Sequence, residues 1–262
     1  MDRKTQDQGT HIAGRIRDLS FRTEQADYLT HTSFLSASEL SECRRLLKAG
    51  LAGNAAWCEY GGYPEAERAV ICFLPTWMES PEEAEDDIIC CLRIRPVNAR
   101  FSDHPGHRDY LGALMNLGVE RDQLGDILIQ KDQDEAFVFA LPGIAEYICR
   151  ELASVRHTSV RCEKVLCSDC TARPEFKEVT GSVASQRLDA VLSMVLHLSR
   201  TRTRELIEEK LVSVNGDYSV NAGLDLKEGD RVSVRGYGKF IFGQVLKQTK
   251  KDRLFVSVRV FS

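Results

Sequence analysis

Between residues 88 and 165 six short segments succeed one another in an order that few folds can use. They read as a strand IICCLRI (88–94), a helix RDYLGALMNLG (108–118), strands DILIQ (126–130) and AFVFAL (136–141), a helix GIAEYICRELASV (143–155) and a strand SVRCEKV (159–165). The strands are apolar runs rich in β-branched and aromatic residues, and the helices repeat their apolar residues every three to four positions. Two β-α-β units around the tight connection QKDQDE form a ferredoxin-like sandwich, with both helices on one face of an antiparallel sheet. This sets the fold class as α+β. It does not set the function, because the same sandwich serves RNA-recognition domains and many metabolic and regulatory modules.

The flanks suggest two further regions. In FLSASELSECRRLLKAG, Ser36 followed by Glu39 is a capping box, Leu40, Cys43, Leu46 and Leu47 form an apolar stripe, and Gly50 stops the helix. IAGRIRDLSF is a weaker amphipathic helix, ERAVICFLP is a strand ended by Pro75, and ESPEEAEDD reads as an acidic loop separating two units. After the sandwich, CSDCTARPEFKEVTG reads as loop and linker. SQRLDAVLSMVLHL and RTRELIEEK are then two helices back to back, and strands follow from the Asn215-Gly216 hairpin signal onward. The expected organisation is an N-terminal α/β region (1–84), the ferredoxin-like domain (85–168), a linker (169–181) and a C-terminal domain (182–262).

The 262 residues include no window near 18 uninterrupted apolar positions and no apolar signal core at the N-terminus, so the expectation is a cytoplasmic protein without a membrane role. Nine cysteines, an odd number without framework spacing, read as reduced thiols. The formal charge of −4 hides an asymmetry. From Gly181 onward there are 14 Lys and Arg against 9 Asp and Glu, so the C-terminal end is basic and residues 1–180 are acidic. Phosphate binding is therefore expected at the C-terminal end.

There the stretch LSRTRTRELIEEK puts Arg200, Arg202 and Arg204 at the start of a helix, where the helix dipole disfavours cations. With Ser199 as N-cap, the core face holds Thr203, Leu206, Ile207 and the stem of Lys210. Arg202 reads as a surface partner of Glu205 and Glu209, and Arg204 has Glu208 four residues on. Arg200 has no such neighbour. An anion at this terminus, met by backbone N–H groups and arginines together, removes the misfit.

The order QRLDAVL, LSRTRTRELIEEKLVSVNGD and LKEGDRVSV, over about 55 residues, resembles the alpha-L RNA-binding domain named after ribosomal small-subunit protein four. That resemblance implies that Arg187, Arg200, Arg204 and Lys210 line the RNA surface, and that Asn215 and Gly216 shape its rim. The R-L-D opening also echoes pseudouridine synthases, but Asp189 is followed by AVLSMVL rather than their Thr-Ser-Gly stretch, so Asp189 reads as a capping or structural carboxylate.

Other signals weigh less. HRD at 107–109 lacks the Asn, Gly-rich loop and D-F-G of a protein kinase. His107, Arg108 and Asp109 fit a helix cap or a secondary contact to RNA or a partner. Phe137 and Phe139 sit where RNA-recognition domains stack bases, yet alternate as a core face does. Cys167 and Cys170, with His157 and Cys162 upstream, lack the second tight pair of a structural zinc site, so no metal or other cofactor is expected, and Cys90-Cys91 faces both sides of one strand. RGYGKFIFG reads as a bulged or tightly twisted strand pair, around which Arg235, Lys239, Lys247, Lys250, Lys251 and Arg253 offer a second phosphate-tracking surface or a solvated face.

GGYPEAER, HRDYLGALMNLGVERDQLGDIL and VSVRGYGK together resemble the YlmH-type RNA-binding proteins of bacteria over roughly residues 55–260. The resemblance implies ribosomal RNA and tRNA on the large ribosomal subunit as partners, a role in quality control of stalled peptidyl-tRNA complexes, and a link to cell division. The resulting expectation is a monomeric RNA-binding protein without catalytic chemistry. Its rivals are an RNA-modifying enzyme that uses the alpha-L domain for delivery, and an interaction scaffold.

Overall fold

The computed structural model describes residues 3–218, 221–248 and 253–261, and the chain divides into two compact units, 1–173 and 174–262. The first unit opens with helix α1 (Arg3–Ala26), strand β1 (Thr30–His31), helix α2 (Ala37–Lys48) and strands β2 (Ala56–Tyr60) and β3 (Val70–Leu74). The strands form an antiparallel sheet ordered β1-β3-β2. Helix α2 begins as its capping box requires: the Glu39 carboxylate accepts the Ser36 N–H at 2.8 Å, and Ser36 Oγ accepts the Glu39 N–H at 3.5 Å. Replacing Ser36 by Ala removes half of this reciprocal pair. The expected cost is about 1 kcal/mol, read as a fall of about 2–4 °C in the first unit's thermal midpoint.

A 3-10 turn (Pro81–Ala84) and the short helix α3 (Glu85–Ile88) come next. The acidic stretch is therefore helical rather than a separating loop. Ser80 caps it, and Ile88 is fully buried. The first central strand accordingly starts at Cys90.

The centre comprises β4 (Cys90–Pro96), α4 (His107–Asn116), β5 (Leu124–Gln130), β6 (Glu135–Ala140), α5 (Pro142–Glu151), β7 (Ser154–Val155) and β8 (Thr158–Val165). The sheet is ordered β5-β6-β4-β8-β7 with every pair antiparallel. This is the ferredoxin-like order, second-third-first-fourth, with a short fifth strand at one edge. Leu92, Ile94 and Val138 pack with Tyr110 and Leu114 of α4 and Ala145 and Ile148 of α5. Cys91, Phe137 and Phe139 point to the other face, where Phe34, Tyr60, Val70 and Cys72 cover them.

Both faces of the central sheet are thus closed. Strand β3 explains how: Val70 and Cys72 join the central core, while Ile71 and Phe73 join Ile16, Leu40 and Leu47 under the N-terminal helices. A strand buried on both faces must be apolar throughout, as VICFL is. Phe137 and Phe139, at 2% and 0% exposure, are core residues with no face to offer a base.

The motif GGYPEAER fastens these layers. Asp126 on β5 accepts hydrogen bonds from the Tyr63 hydroxyl at 2.8 Å and the Glu67 N–H at 2.6 Å. Arg68 donates to the carbonyls of Phe34, Arg121 and Leu124. Tyr63 stacks on Phe139 at 5.0 Å. Gly62, at φ 84°, lies so close that a Cβ would meet the Phe139 ring at 2.5 Å. Regions 1–84 and 85–168 therefore lie in one compact unit and share a buried cluster.

All nine cysteines are free thiols. Cys167 and Cys170 are buried in the core with Cys91, and Cys149 and Cys162 lie with sulfurs 3.3 Å apart. Among the described residues no three His, Cys, Asp or Glu side chains converge as a metal site would need.

The second unit holds β9 (Phe176–Val183), α6 (Leu188–Leu196), α7 (Arg200–Glu208), β10 (Val212–Val214), β11 (Asp217–Tyr218), β12 (Arg231–Val234), β13 (Gly238–Gln248) and β14 (Leu254–Phe261). Its antiparallel sheet runs β11-β10-β12-β13-β14-β9. The second part of the stretch expected to be linker, from Phe176 on, is β9, an edge strand paired along all of β14. Its residues FKEVTGSV bury only Val183, so no apolar periodicity marks it. The glycine-rich segment is the β12–β13 turn and the start of β13, which pairs with β12 in regular register, while β13 shifts register against β14 from Phe242 to Val245. Lys250 and Lys251 lie outside the described residues.

Candidate nucleic-acid interface

Helices α6 and α7 are joined by a three-residue turn, His197 to Ser199, in which His197 is left-handed. Ser199 caps α7, its Oγ accepting the Arg202 N–H at 3.2 Å. Thr203, Leu206 and Ile207 bury the inner face of α7. The Thr203 hydroxyl donates to the Arg200 carbonyl at 2.9 Å and lies 3.3 Å from the Asp189 carbonyl, which ties the start of α7 to the start of α6.

The centre of the arrangement is Asp189, whose side chain is fully buried. Its carboxylate accepts two hydrogen bonds from Arg187, at 3.2 and 3.3 Å, and two from Arg204, at 3.3 and 3.2 Å. Burial pushes the carboxyl upward in pKa, but the two guanidiniums, with a further contribution from the charge of Arg200, outweigh it and hold it below the usual range. Arg204 therefore answers to Asp189 across the helix pair and not to Glu208. Asp189 is a structural carboxylate that orients arginines.

The three arginines of the stretch separate by partner. Arg202 pairs with Glu205 at 2.9 Å and reaches Glu209 at 3.7 Å, with the Tyr237 side chain beside it. Arg187 and Arg204 keep 44% and 52% of their side-chain surface exposed. Arg200 is exposed and makes no ion pair among the described residues. One buried negative charge thus sits under three cations at the N-terminus of α7, leaving an outward excess of positive charge where free helical N–H groups also favour anions.

Other expected site residues fall elsewhere. Lys210 is exposed and left-handed at φ 56°, closing α7 through bonds from its N–H to Ile207 and from Leu211 N–H to Leu206. Its stem does not join the core, and it stands ~15 Å along the helix from Arg200 at 1.5 Å per residue. The Arg235 N–H bonds to the Leu211 carbonyl, so Arg235 belongs with Lys210 at that far end, and Lys239 is exposed across the same turn, opposite Ser233. Asn215 and Gly216 take φ of 52° and 94° in the hairpin turn between β10 and β11. The Asn215 amide donates to Asp230 at 2.8 Å and accepts from the Arg231 N–H at 2.9 Å, so its polar atoms hold the rim rather than face outward.

In the first unit, His107 and Arg108 are exposed at the start of α4. Asp109 accepts the Gly106 N–H at 2.8 Å as a helix cap. Arg108 lines a groove of about 530 Å³ with Asn116, Ser154 and Arg156. Sequence reasoning did not find the organising role of Asp189, although its signal, an R-L-D with another arginine fifteen residues on, was present. No described helix is long and apolar enough to cross a membrane.

Comparison with known proteins agrees with this layout. Residues 85–169 match the family described as a putative RNA-binding domain in YlmH, and residues 186–232 match the S4 domain. A solved structure, the cell division protein ylmH from Streptococcus pneumoniae, is 18% identical, covers 62% of this chain and 94% of that one, and superposes with a TM-score of 0.48. The ribosome-associated protein quality control protein P2 of Bacillus subtilis (strain 168) is 30% identical over 197 residues, which is 74% of this chain and 73% of the relative. By that identity and coverage, and by its own matches to the two domain families, the chain belongs to the YlmH family of RNA-binding proteins with a C-terminal S4 domain.

Proposed function

We propose that the protein binds structured RNA without catalysing a reaction, gripping phosphates with Arg187, Arg200 and Arg204 at the start of α7. The observation that carries this reading is the fully buried Asp189, which fixes two arginines while both remain half exposed. A guanidinium held by one carboxylate still presents its remaining N–H donors to a phosphate, and fixing it beforehand reduces the entropy lost on binding. Lys210, Arg235 and Lys239 extend the surface toward the far end of α7, and the Asn215-Gly216 turn shapes its edge. The same buried geometry argues against a synthase role for Asp189, because a carboxylate enclosed by two arginines cannot reach a base.

The name of the Bacillus subtilis relative supports the ribosome as the place of action. The RNA is then ribosomal RNA and tRNA on the large subunit, in the cytoplasm, and the protein acts as a monomer in quality control of stalled peptidyl-tRNA complexes.

Salt dependence tests the mechanism. Three phosphate contacts predict that log K falls with log salt at a slope of about −2 to −3, or ~20- to 60-fold between ~50 and ~200 mM. A flat response defeats the phosphate reading. Nucleoside analysis of RNA incubated with the protein tests the absence of catalysis, and any new modification overturns it.

A further inference from the structure

The central sheet cannot bind bases on its open face, because Phe137 and Phe139 are buried under the N-terminal layer. A different surface of the same unit has the composition that nucleic acid requires. Where β4 ends and β8 begins, residues 95–109 and 154–161 carry five arginines against two aspartates, within a body that is acidic overall. Phe101, at 81% exposure, is the most exposed large apolar side chain among the described residues, and Val97 beside it is 67% exposed. A phenylalanine ring presented to water is costly unless a partner covers it.

The loop that presents Phe101 is held in shape. The Val97 N–H bonds to the Ser159 carbonyl at 2.9 Å, Asn98 Oδ1 accepts the Arg100 N–H at 3.1 Å, and the Asp103 N–H bonds to Thr158 Oγ1 at 3.0 Å. Arg156 reaches Asp103 at 3.2 Å and Asp109 at 3.7 Å, joining the loop, the start of α4 and the β7–β8 turn at one end of the unit. The aspartates are thereby occupied, and Arg95 is paired with Glu163. Arg100, Arg108 and Arg161 are exposed and make no ion pair among the described residues.

We infer that this end of the first unit is a second RNA-binding surface, on which Phe101 stacks against an unpaired base while Arg100 and Arg108 hold the flanking phosphates. An aromatic ring among unneutralised arginines suits an unpaired nucleotide, since every base has a π-face and every linkage a negative charge. An acidic protein segment would satisfy the arginines but gains little from the ring. The adjoining groove carries both signs, with Arg108 and Arg156 beside Asp109 and Glu151, so the phosphate path stays with the loop. The inference rests on the RNA-binding reading given above and adds a place and a ligand class within the first unit: single-stranded RNA.

The test uses the full chain with two probes, bulk tRNA and purified large ribosomal subunits, each carrying 4-thiouridine for cross-linking. Phe101→Ala, exposed enough to leave the fold alone, is expected to weaken binding to at least one probe by about 5- to 100-fold, the range of one lost stacking contact. Phe101→Trp is expected to restore it, and Arg100→Ala with Arg108→Ala to lower the salt slope by about 1.5. Cross-linked nucleotides should map to residues 97–108. Wild-type affinity for both probes in Phe101→Ala, beside a weakened Arg200→Ala, overturns this inference and leaves the proposed function standing. Reduced subunit binding with no cross-link from residues 97–108 identifies a protein occupant and also overturns it. Failure of the wild-type chain to bind either probe removes both.

Discussion

Asp189→Ala is expected to destabilise the helix pair of the second unit by about 3 kcal/mol and to weaken RNA binding with it. The magnitude follows from what the carboxylate does. It is fully buried and accepts four charge-assisted hydrogen bonds from two guanidiniums. Breaking a buried ion pair costs about 3–5 kcal/mol when the remaining charge stays buried. Here Arg187 and Arg204 are half exposed and can turn to water, which places the cost toward the lower end. The freed arginines also repel each other and lose their orientation. Hydrogen exchange of the amides in 186–208 measures the loss directly, because α6 and α7 report their own opening free energy.

The pH dependence follows from the sign of the shift. The folded-state pKa of Asp189 is depressed, so its stabilising contribution is complete above the unfolded value near ~4 and is lost as pH falls through the folded value. The gap between wild type and Asp189→Asn should therefore be constant around neutrality and close only below pH ~4. A gap that closes at higher pH, or protection equal to wild type at pH 7, would show that Asp189 does not organise the pair.

What the sequence made legible follows from range. The βαββαβ order could be read because each element carries its own period: strand β6 is apolar from Ala136 to Ala140 and buried on both faces, while α4 and α5 bury one stripe each. The capping box at Ser36 spans three residues and was local enough to see, and Asp109 takes the helix-cap role that was one of the two open to HRD. Strand β9 was missed because an edge strand with polar faces has no apolar alternation, and its identity comes from pairing with β14 some 80 residues on. The joining of the N-terminal layer to the central sheet depends on Asp126 meeting Tyr63 and Glu67, a contact between distant positions that no local pattern announces.

The candidate site divides the same way. Arg202 has neighbours on its own helix, and its pairing with Glu205 could be read at a spacing of three. Arg204 had a local choice, Glu208, and a distant one, Asp189. The distant one wins because an exposed pair at i, i+4 is worth only about 0.3–0.5 kcal/mol, whereas a carboxylate enclosed by the fold demands a cation. Sequence spacing measures the weaker of the two interactions.

That competition leaves Arg200 as the sharpest probe of RNA binding. Asp189 has room for two guanidiniums at hydrogen-bonding distance, and Arg187 and Arg204 take them. Arg200 stands exposed at the first position of α7, where the helix terminus itself repels it, and contributes nothing to the core. Its one contribution to folding is a weak charge interaction with Asp189, the last of the causes that hold that carboxyl ionised. Arg200→Ala removes one charge-assisted contact to phosphate, worth about 1.5–3 kcal/mol or ~10- to 150-fold in affinity. Arg200→Glu adds repulsion and should exceed ~100-fold, with hydrogen-exchange protection of α7 undiminished, because an acid in the first turn suits the dipole. Arg202→Ala, whose guanidinium is already engaged by Glu205, should change affinity by less than ~3-fold. The pair of variants separates a specific anion site from bulk positive charge, since each removes the same unit of charge from the same helical turn. Equal losses in ribosome co-sedimentation for Arg200→Ala and Arg202→Ala would mean that charge alone steers binding, and unchanged association in Arg200→Glu would remove the start of α7 from the interface.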